Sequence, residues 1–295
     1  MNIQFKPTIV FLILLFVFSC KKDKTADISV SSNNILKKDT HPWADKSSYQ
    51  NAPEELKTWV DARAGTGAPV HWIADGGVFE YPSGKKLFGM IGFDSSTVIW
   101  PDSADQVISH LTRKTFAYTD PITGEVLTEY NGNEVTPIAY PYQMITYRLE
   151  NQRIYGDVEQ GVGDRIKTIK AEEGIPYRKM GSGYIYNASV FLDFPLPTGK
   201  QYQAWENYDF IIQPEGSVDE PHMMAWERYG DLPKWAGEGK AIIQLHSWRV
   251  ESQDEFPKQI LDWAKKDKPK WLNPPKDIEE VRALQSGDAG AGWGI

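Results

Sequence analysis

The sequence predicts a mainly β fold, an antiparallel barrel or sandwich-like sheet with a few peripheral helices. Three observations carry this. Short apolar runs rich in Val, Ile, Tyr and Phe recur from Pro69 to Val250, broken by Gly, Pro, Asn and Asp. Helical spacing of apolar residues is confined to the two ends of the folded part. No Gly-rich phosphate loop opens a helix after a strand, and no internal repeat recurs, so doubly wound and solenoid architectures are set aside. The 11 Trp and 14 Tyr supply large apolar area with a polar handle, which suits an all-β core and a ring-binding cleft.

The elements follow in order. "MNIQFKPTIVFLILLFVFSC" has a Lys6 flank, an apolar run from Ile9 to Phe18, and Ser19-Cys20. The run is short for a bilayer span and fits a secretory leader. Its end resembles a bacterial lipobox, so residues 1–20 are expected to be a lipoprotein signal peptide that leaves Cys20 lipidated. Cys20 is the only cysteine, so the body holds no disulfide, zinc thiolate or thiol nucleophile. The expected location is the cell envelope, with a membrane partner through the lipid. Residues 21–52 are polar and aperiodic and read as a tether.

A single domain is expected over residues 53–295. Leu56, Trp59, Val60 and Arg63 recur at helical spacing and Gly65 ends the pattern. "PVHWIADGGVFEYP" reads as two strands about a turn at Asp75-Gly76-Gly77. Two further turns stand at Asp120-Pro121 with Gly124, and at Asn131-Gly132-Asn133. "GSG" at Gly181–Gly183 reads as a turn. Strands are expected at Tyr184–Leu192, Gln201–Ile212, His222–Tyr229 and Ala241–Val250. A C-terminal arm then places Ile260, Leu261 and Trp263 on one side of a helix, and "DIEEVRALQS" supplies a last helical turn or two.

"WVDARAG", "AYTDPITGEVLTEYNGN" and "HSWRVESQDEFPKQILDWAKKDKPKWLNPP" resemble the DUF1838 family. The matching residues are Trp59, Arg63 and Ala64, then Tyr118, Asp120, Pro121, Thr123, Gly124, Glu125, Val126 and Leu127. The resemblance runs from about residue 53 to 275. It departs from the family at "YNGNEVTPIAY", which is shorter and lacks a histidine. The lipoprotein context resembles the polysaccharide-degrading surface machinery of Bacteroidota. Together these imply a dehydratase acting on uronic-acid oligosaccharides.

Charge and motifs narrow the chemistry. The net charge is −8 without a basic patch, so nucleic acid is not an expected partner. No G-x-S-x-G elbow is present. The five histidines form no H-x-H or H-x-x-x-H pair, so no metal is assigned, although His222 and His246 could join carboxylates in space. Glu206 and Glu227 are candidates for a paired-carboxylate site.

The richest stretch is Gln201 to Val250. Period two puts His222, Met224, Trp226 and Arg228 on one face, and sets Leu245, Ser247 and Arg249 opposite His246 and Trp248. His222, His246 and Tyr208 are the catalytic candidates. Arg148, Arg228 and Arg249 are candidates for a substrate carboxylate, and Trp205, Trp226 and Trp248 for stacking on a sugar. These groups suit β-elimination on a uronate oligosaccharide, which needs no redox cofactor. A binding module for a glycan or small ligand, and a metal-dependent hydrolase, are the rival expectations.

Overall fold

The computed structural model describes residues 49–100, 109–161, 167–170, 174–195, 201–213 and 222–287. The expected leader, with Cys20, and most of the expected tether lie outside these. Among the described residues thirteen strands follow one another: β1 (Val70–Tyr81), β2 (Lys86–Ile99), β3 (Ser109–Thr119), β4 (Glu129–Tyr130), β5 (Asn133–Glu134), β6 (Ile138–Glu150) and β7 (Arg153–Gln160), then β8 (Lys167–Lys170), β9 (Ile175–Met180), β10 (Gly183–Pro195), β11 (Gln201–Ile212), β12 (Met223–Asp231) and β13 (Lys240–Val250). The longer helices among the described residues are α1 (Glu54–Ala64), α2 (Lys258–Asp267) and α3 (Ile278–Ser286).

The strand order is β6-β3-β2-β1-β13-β12-β11-β10-β9-β7, and β7 pairs back onto β6. Every pairing in this ring is antiparallel. The sheet is therefore a closed barrel of ten strands, which removes the free edges that an open sheet exposes. β8 extends β7 on the outside, and β4 and β5 form a small separate hairpin.

Closure makes period two into an inside–outside code. Register aligns Trp72 with Asp94 and Arg249, Val78 with Phe88 and Ile243, and Met90 with Tyr118, all facing inward. The barrel is stoppered at one end by α1. Trp59 lies against Tyr147 of β6, Tyr186 of β10 and Phe210 of β11, and the Tyr186 hydroxyl donates to the Glu55 carbonyl at 2.9 Å. Glu54 and Glu55 in its first turn and Arg63 in its last suit the helix dipole, and Gly65 ends it at φ +66°. Packing begins before the expected boundary, since Tyr49 and Ala52 are buried against α1. At the far end Trp235 packs on Phe88, Tyr118 and Tyr130.

The C-terminal arm lies outside. Phe256, Ile260, Trp263 and Leu272 bury Ile73, Ile91 and Phe93, the outward residues of β1 and β2. Arg113, outward on β3, fastens it by donating to the carbonyls of Lys270, Asn273 and Pro274 and pairing with Glu280.

One expected turn is absent. Asp75-Gly76-Gly77 lies within the unbroken strand β1. A Cβ at Gly76 would run into the Gln244 carbonyl of β13, so the glycine serves a close strand approach and not a reversal. The chain turns instead at Pro82–Gly84, where the Gly84 N–H donates to the Glu80 carbonyl at 2.8 Å and Gly84 has φ +72°.

The "TDPITGEVL" turn forms as expected. Asp120 accepts from the N–H groups of Ile122 at 2.8 Å and Thr123 at 2.7 Å, and Gly124 sits at φ +76°. Nothing crowds Gly124, so a side chain there meets only backbone strain. Gly124→Val is expected to lower stability by about 1 kcal/mol or more, read as a shift in the urea midpoint. An unchanged midpoint would show that the turn does not need this conformation.

Candidate functional site

Inward-facing residues that keep accessible surface mark a lumen within the barrel. Lys114 of β3, Glu206 of β11 and Arg228 of β12 all face inward by register, yet their side chains are 19%, 15% and 16% exposed. Phe116, Tyr140, Tyr202, Tyr208 and Met224 share this half-buried state.

Toward the α1 end the interior is sealed, and its floor is ionic. Asp94 of β2 lies 3.5 Å from the Arg63 guanidinium and 3.5 Å from the Lys114 ammonium. It also accepts hydrogen bonds from Ser96 at 2.7 Å and from Thr112. Burial alone would raise the Asp94 carboxyl, but Lys114 and Arg63 outweigh it and hold the pKa at about 2. The Arg63 guanidinium also lies over the rings of Trp72 and Phe210, at 5.4 and 5.0 Å. His110, fully buried beside this cluster, is kept neutral by burial and by Arg63. Its Nδ1 is 2.9 Å from the Tyr147 hydroxyl, and its Nε2 has no hydrogen-bond partner among the described residues.

Above the floor the lumen gathers phenols around an acid and two bases. Tyr208 donates to Glu206 at 2.6 Å. Arg228 lies 3.7 Å from the other Glu206 oxygen and donates to the Tyr202 hydroxyl. Burial, followed by the Glu206 carboxylate, pushes the Tyr208 phenol well above its usual range, so it stays protonated. Burial does the same to Tyr140 and Tyr118, and both sense Arg228. Burial lowers the Lys114 pKa; Asp94, then Glu206, work against that. Phe116, Trp226, Tyr208 and Phe210 stack in sequence across the interior, with neighbouring ring centroids 6.1–6.4 Å apart. The Trp226 indole N–H, buried in this row, has no acceptor among the described residues.

The expected site residues fall into separate places. Tyr208, Trp226 and Arg228 meet in the lumen. His246, Trp205 and Trp248 lie on the outer face of the same wall, because their strand phase is opposite. His246 is exposed there and lines a groove of about 400 Å³ with Asp75, Lys86 and Trp248. His222 stands where β12 begins: its carbonyl accepts from the Arg249 N–H at 2.9 Å and its Nδ1 from the Gln213 N–H at 3.1 Å. His246 lies opposite Ala225, roughly 10 Å along the strand. The structure thus does not assemble His222 and His246 as a base and acid. Burial and Arg249 lower the His222 pKa to about 4.

Arg249 is committed to holding the stopper, since it donates to the Asp61 carbonyl at 2.8 Å and pairs with Glu251 at 2.8 Å. Arg148 sits in β6 opposite Tyr155, and its side chain is outside the described residues. Glu206 and Glu227 point to opposite sides of the wall and cannot flank one bond.

Sequence reasoning missed Arg63, Asp94, His110, Lys114 and Tyr140. A signal existed in β2 and β3, where Asp94 and Ser96, and His110, Thr112 and Lys114, alternate in phase. It is obscured because the outward residues of these strands are also buried, beneath the arm.

The family described as "Protein of unknown function (DUF1838)" matches residues 75–287. The match runs from within β1 to the end of α3. It takes in the whole lumen cluster except Arg63 and starts later than the resemblance to Trp59 and Arg63 implied. No curated protein and no solved structure matches the chain.

Proposed function

We propose, from the premise that the chain belongs to the DUF1838 family of proteins of unknown function, that it is a carbon–oxygen lyase working inside its barrel on a uronic-acid oligosaccharide. The observation that carries this reading is the 2.6 Å Tyr208–Glu206 pair with Arg228 beside it, in a lumen that Lys114 also enters.

Removing the proton next to a carboxylate leaves an enolate with two negative charges. Arg228 and Lys114 meet that charge as it develops, in a site that excludes most water. Glu206 accepts the C5 proton. Tyr208, held protonated, gives its own proton to the oxygen leaving C4 and recovers one from Glu206 across their hydrogen bond. The C5–H and C4–O bonds break, a C4–C5 double bond forms, and water or a sugar alcohol departs with no net proton change. Trp226 lies beside Tyr208 in the stacked row and holds that ring in place.

The test is incubation of the purified chain with glucuronate-, galacturonate- and mannuronate-containing oligosaccharides. The expected product shows the ultraviolet absorbance of an unsaturated uronate. The stacked row from Phe116 to Phe210 also favours a second reading, a ligand-binding barrel without turnover. Saturable binding of these oligosaccharides with no new chromophore would select it.

The same proposal places the protein at the cell envelope, held by a lipid on Cys20, because the chain's only cysteine ends an apolar leader. Cys20→Ala is expected to move the protein out of the membrane fraction or to block its maturation. A variant processed normally and still wholly in the membrane fraction would remove the anchor from the proposal.

A further inference from the structure

The barrel's outer wall is covered unevenly. The C-terminal arm lies over β1 to β3 and β6, and among the described residues nothing packs over the outer face of β10 to β12. On that bare side, register aligns Phe191, Trp205, Tyr229, Ile242 and Phe79 in one row across β10, β11, β12, β13 and β1. Phe191 is 78% exposed and Ile242 38%. Soluble proteins rarely leave such a row bare without a use for it.

The next outward row, two residues along each strand, is polar: Ser189, Asn207, Glu227 and Gln244. Ser189 donates to Asn207 at 2.9 Å, whereas the side chains of Glu227 and Gln244 have no partner among the described residues. A groove of about 620 Å³ runs along the boundary, with Trp205, Tyr229 and Tyr81 among its apolar lining and Glu227, Gln244 and Arg228 as its polar lining.

We infer that this wall binds an extended, uncharged sugar chain. A pyranose presents an apolar C–H face, which stacks on an aromatic ring, and a rim of hydroxyls that need donors and acceptors alongside. Adjacent strands stand about 4.8 Å apart, so the wall offers a stacking group and a hydrogen-bonding group in step with successive sugar rings. An apolar partner, whether a lipid surface or a second copy of the chain, would bury the open polar atoms of Glu227 and Gln244 at a cost. Two bases reach this wall, Lys86 beside Phe79 and Arg228 at the groove, but Arg228 is paired with Glu206. The acids Glu227, Asp209 and Asp75 leave the wall net acidic, which disfavours a polyuronate and favours an uncharged chain. The inference does not depend on chemistry in the lumen.

Titration calorimetry of the purified full-length chain tests it, with neutral cello-, xylo-, manno-, malto- and laminari-hexasaccharides and an oligogalacturonate of the same length as the charged probe. At least one neutral hexasaccharide binds, more tightly than the charged one. Trp205→Ala and Tyr229→Ala each weaken it by about tenfold or more. Far-ultraviolet dichroism of both variants stays unchanged, because the two side chains lie outside the core. Three results would overturn the inference: no neutral hexasaccharide binding, binding that survives both substitutions, or preference for the charged probe. Sedimentation gives a further arm, since a dimer that Trp205→Ala dissociates would make this wall a self-association face.

Discussion

Asp94→Asn is expected to destabilise the barrel by about 3–5 kcal/mol, the loss typical of breaking a buried ion pair from one side. The neutral amide keeps the shape but leaves the Arg63 guanidinium and the Lys114 ammonium facing each other without the charge between them. Arg63 belongs to α1, so the loss also loosens the stopper from the end of the barrel. Urea unfolding of the variant reads the effect directly. A loss below about 1 kcal/mol would mean that the cluster is hydrated or rearranges, and that its charges are not held as described.

The pH dependence of stability follows from the same burial. His110, His71 and His222 all have pKa values lowered from 6.5, chiefly by burial, to about 4 for His222. The unfolded chain therefore takes up protons at these histidines near pH 6.5 while the folded chain does not, and stability falls as the pH drops below that point. Asp94 adds a second loss below its ordinary value of 3.8, continuing toward about 2. Unfolding midpoints are expected to hold near pH 7.5 and to decline from about pH 6.5 down to pH 3, and Asp94→Asn should lack the last segment. Stability that stays level from pH 7.5 to pH 5 would show that these histidines are not buried in neutral form.

The legible and illegible parts of the fold divide along a physical line. Helix α1 and its glycine stop, the Asp120 and Asn131 turns, and the strand Gln201–Ile212 are local features, written in spacing and turn chemistry. The shared face of Trp226 and Arg228 was legible too, from period two alone; that this face is the inner one, and that Tyr208 lies opposite Trp226 on it, comes from the pairing of β11 with β12. Closure was not legible. The pairings β1–β13 and β7–β9 join strands that do not follow one another in sequence, and no residue announces them. Closure is what carries Lys114 of β3 and Tyr140 of β6 into the neighbourhood of Glu206 and Arg228. The Gly76 misreading has a related cause. A glycine pair after an aspartate has the composition of a turn, and only the approach of β13 shows that it serves a close contact.

Tyr208→Phe is expected to reduce turnover of an unsaturated-uronate-forming substrate by roughly a hundredfold to ten-thousandfold, the usual worth of a positioned acid or base. The ring remains, so its stacking on Phe210 and Trp226 is kept, and only the hydroxyl that bonds Glu206 is lost. Stability should fall by about 1.5–3 kcal/mol, the value of one hydrogen bond to a charged group. Arg228→Lys tests the other half of the site: the charge survives, but the planar fork that reaches Glu206 and Tyr202 does not. It should raise KM for a uronate more than it lowers the melting temperature. His246→Ala is the contrast. This histidine sits exposed on the outer wall, one face of the sheet away from Tyr208, so its removal should leave both turnover of a small uronate and stability unchanged. A wild-type rate in Tyr208→Phe together with a collapsed rate in His246→Ala would move the chemistry out of the lumen and onto the outer groove that His246 shares with Asp75 and Lys86.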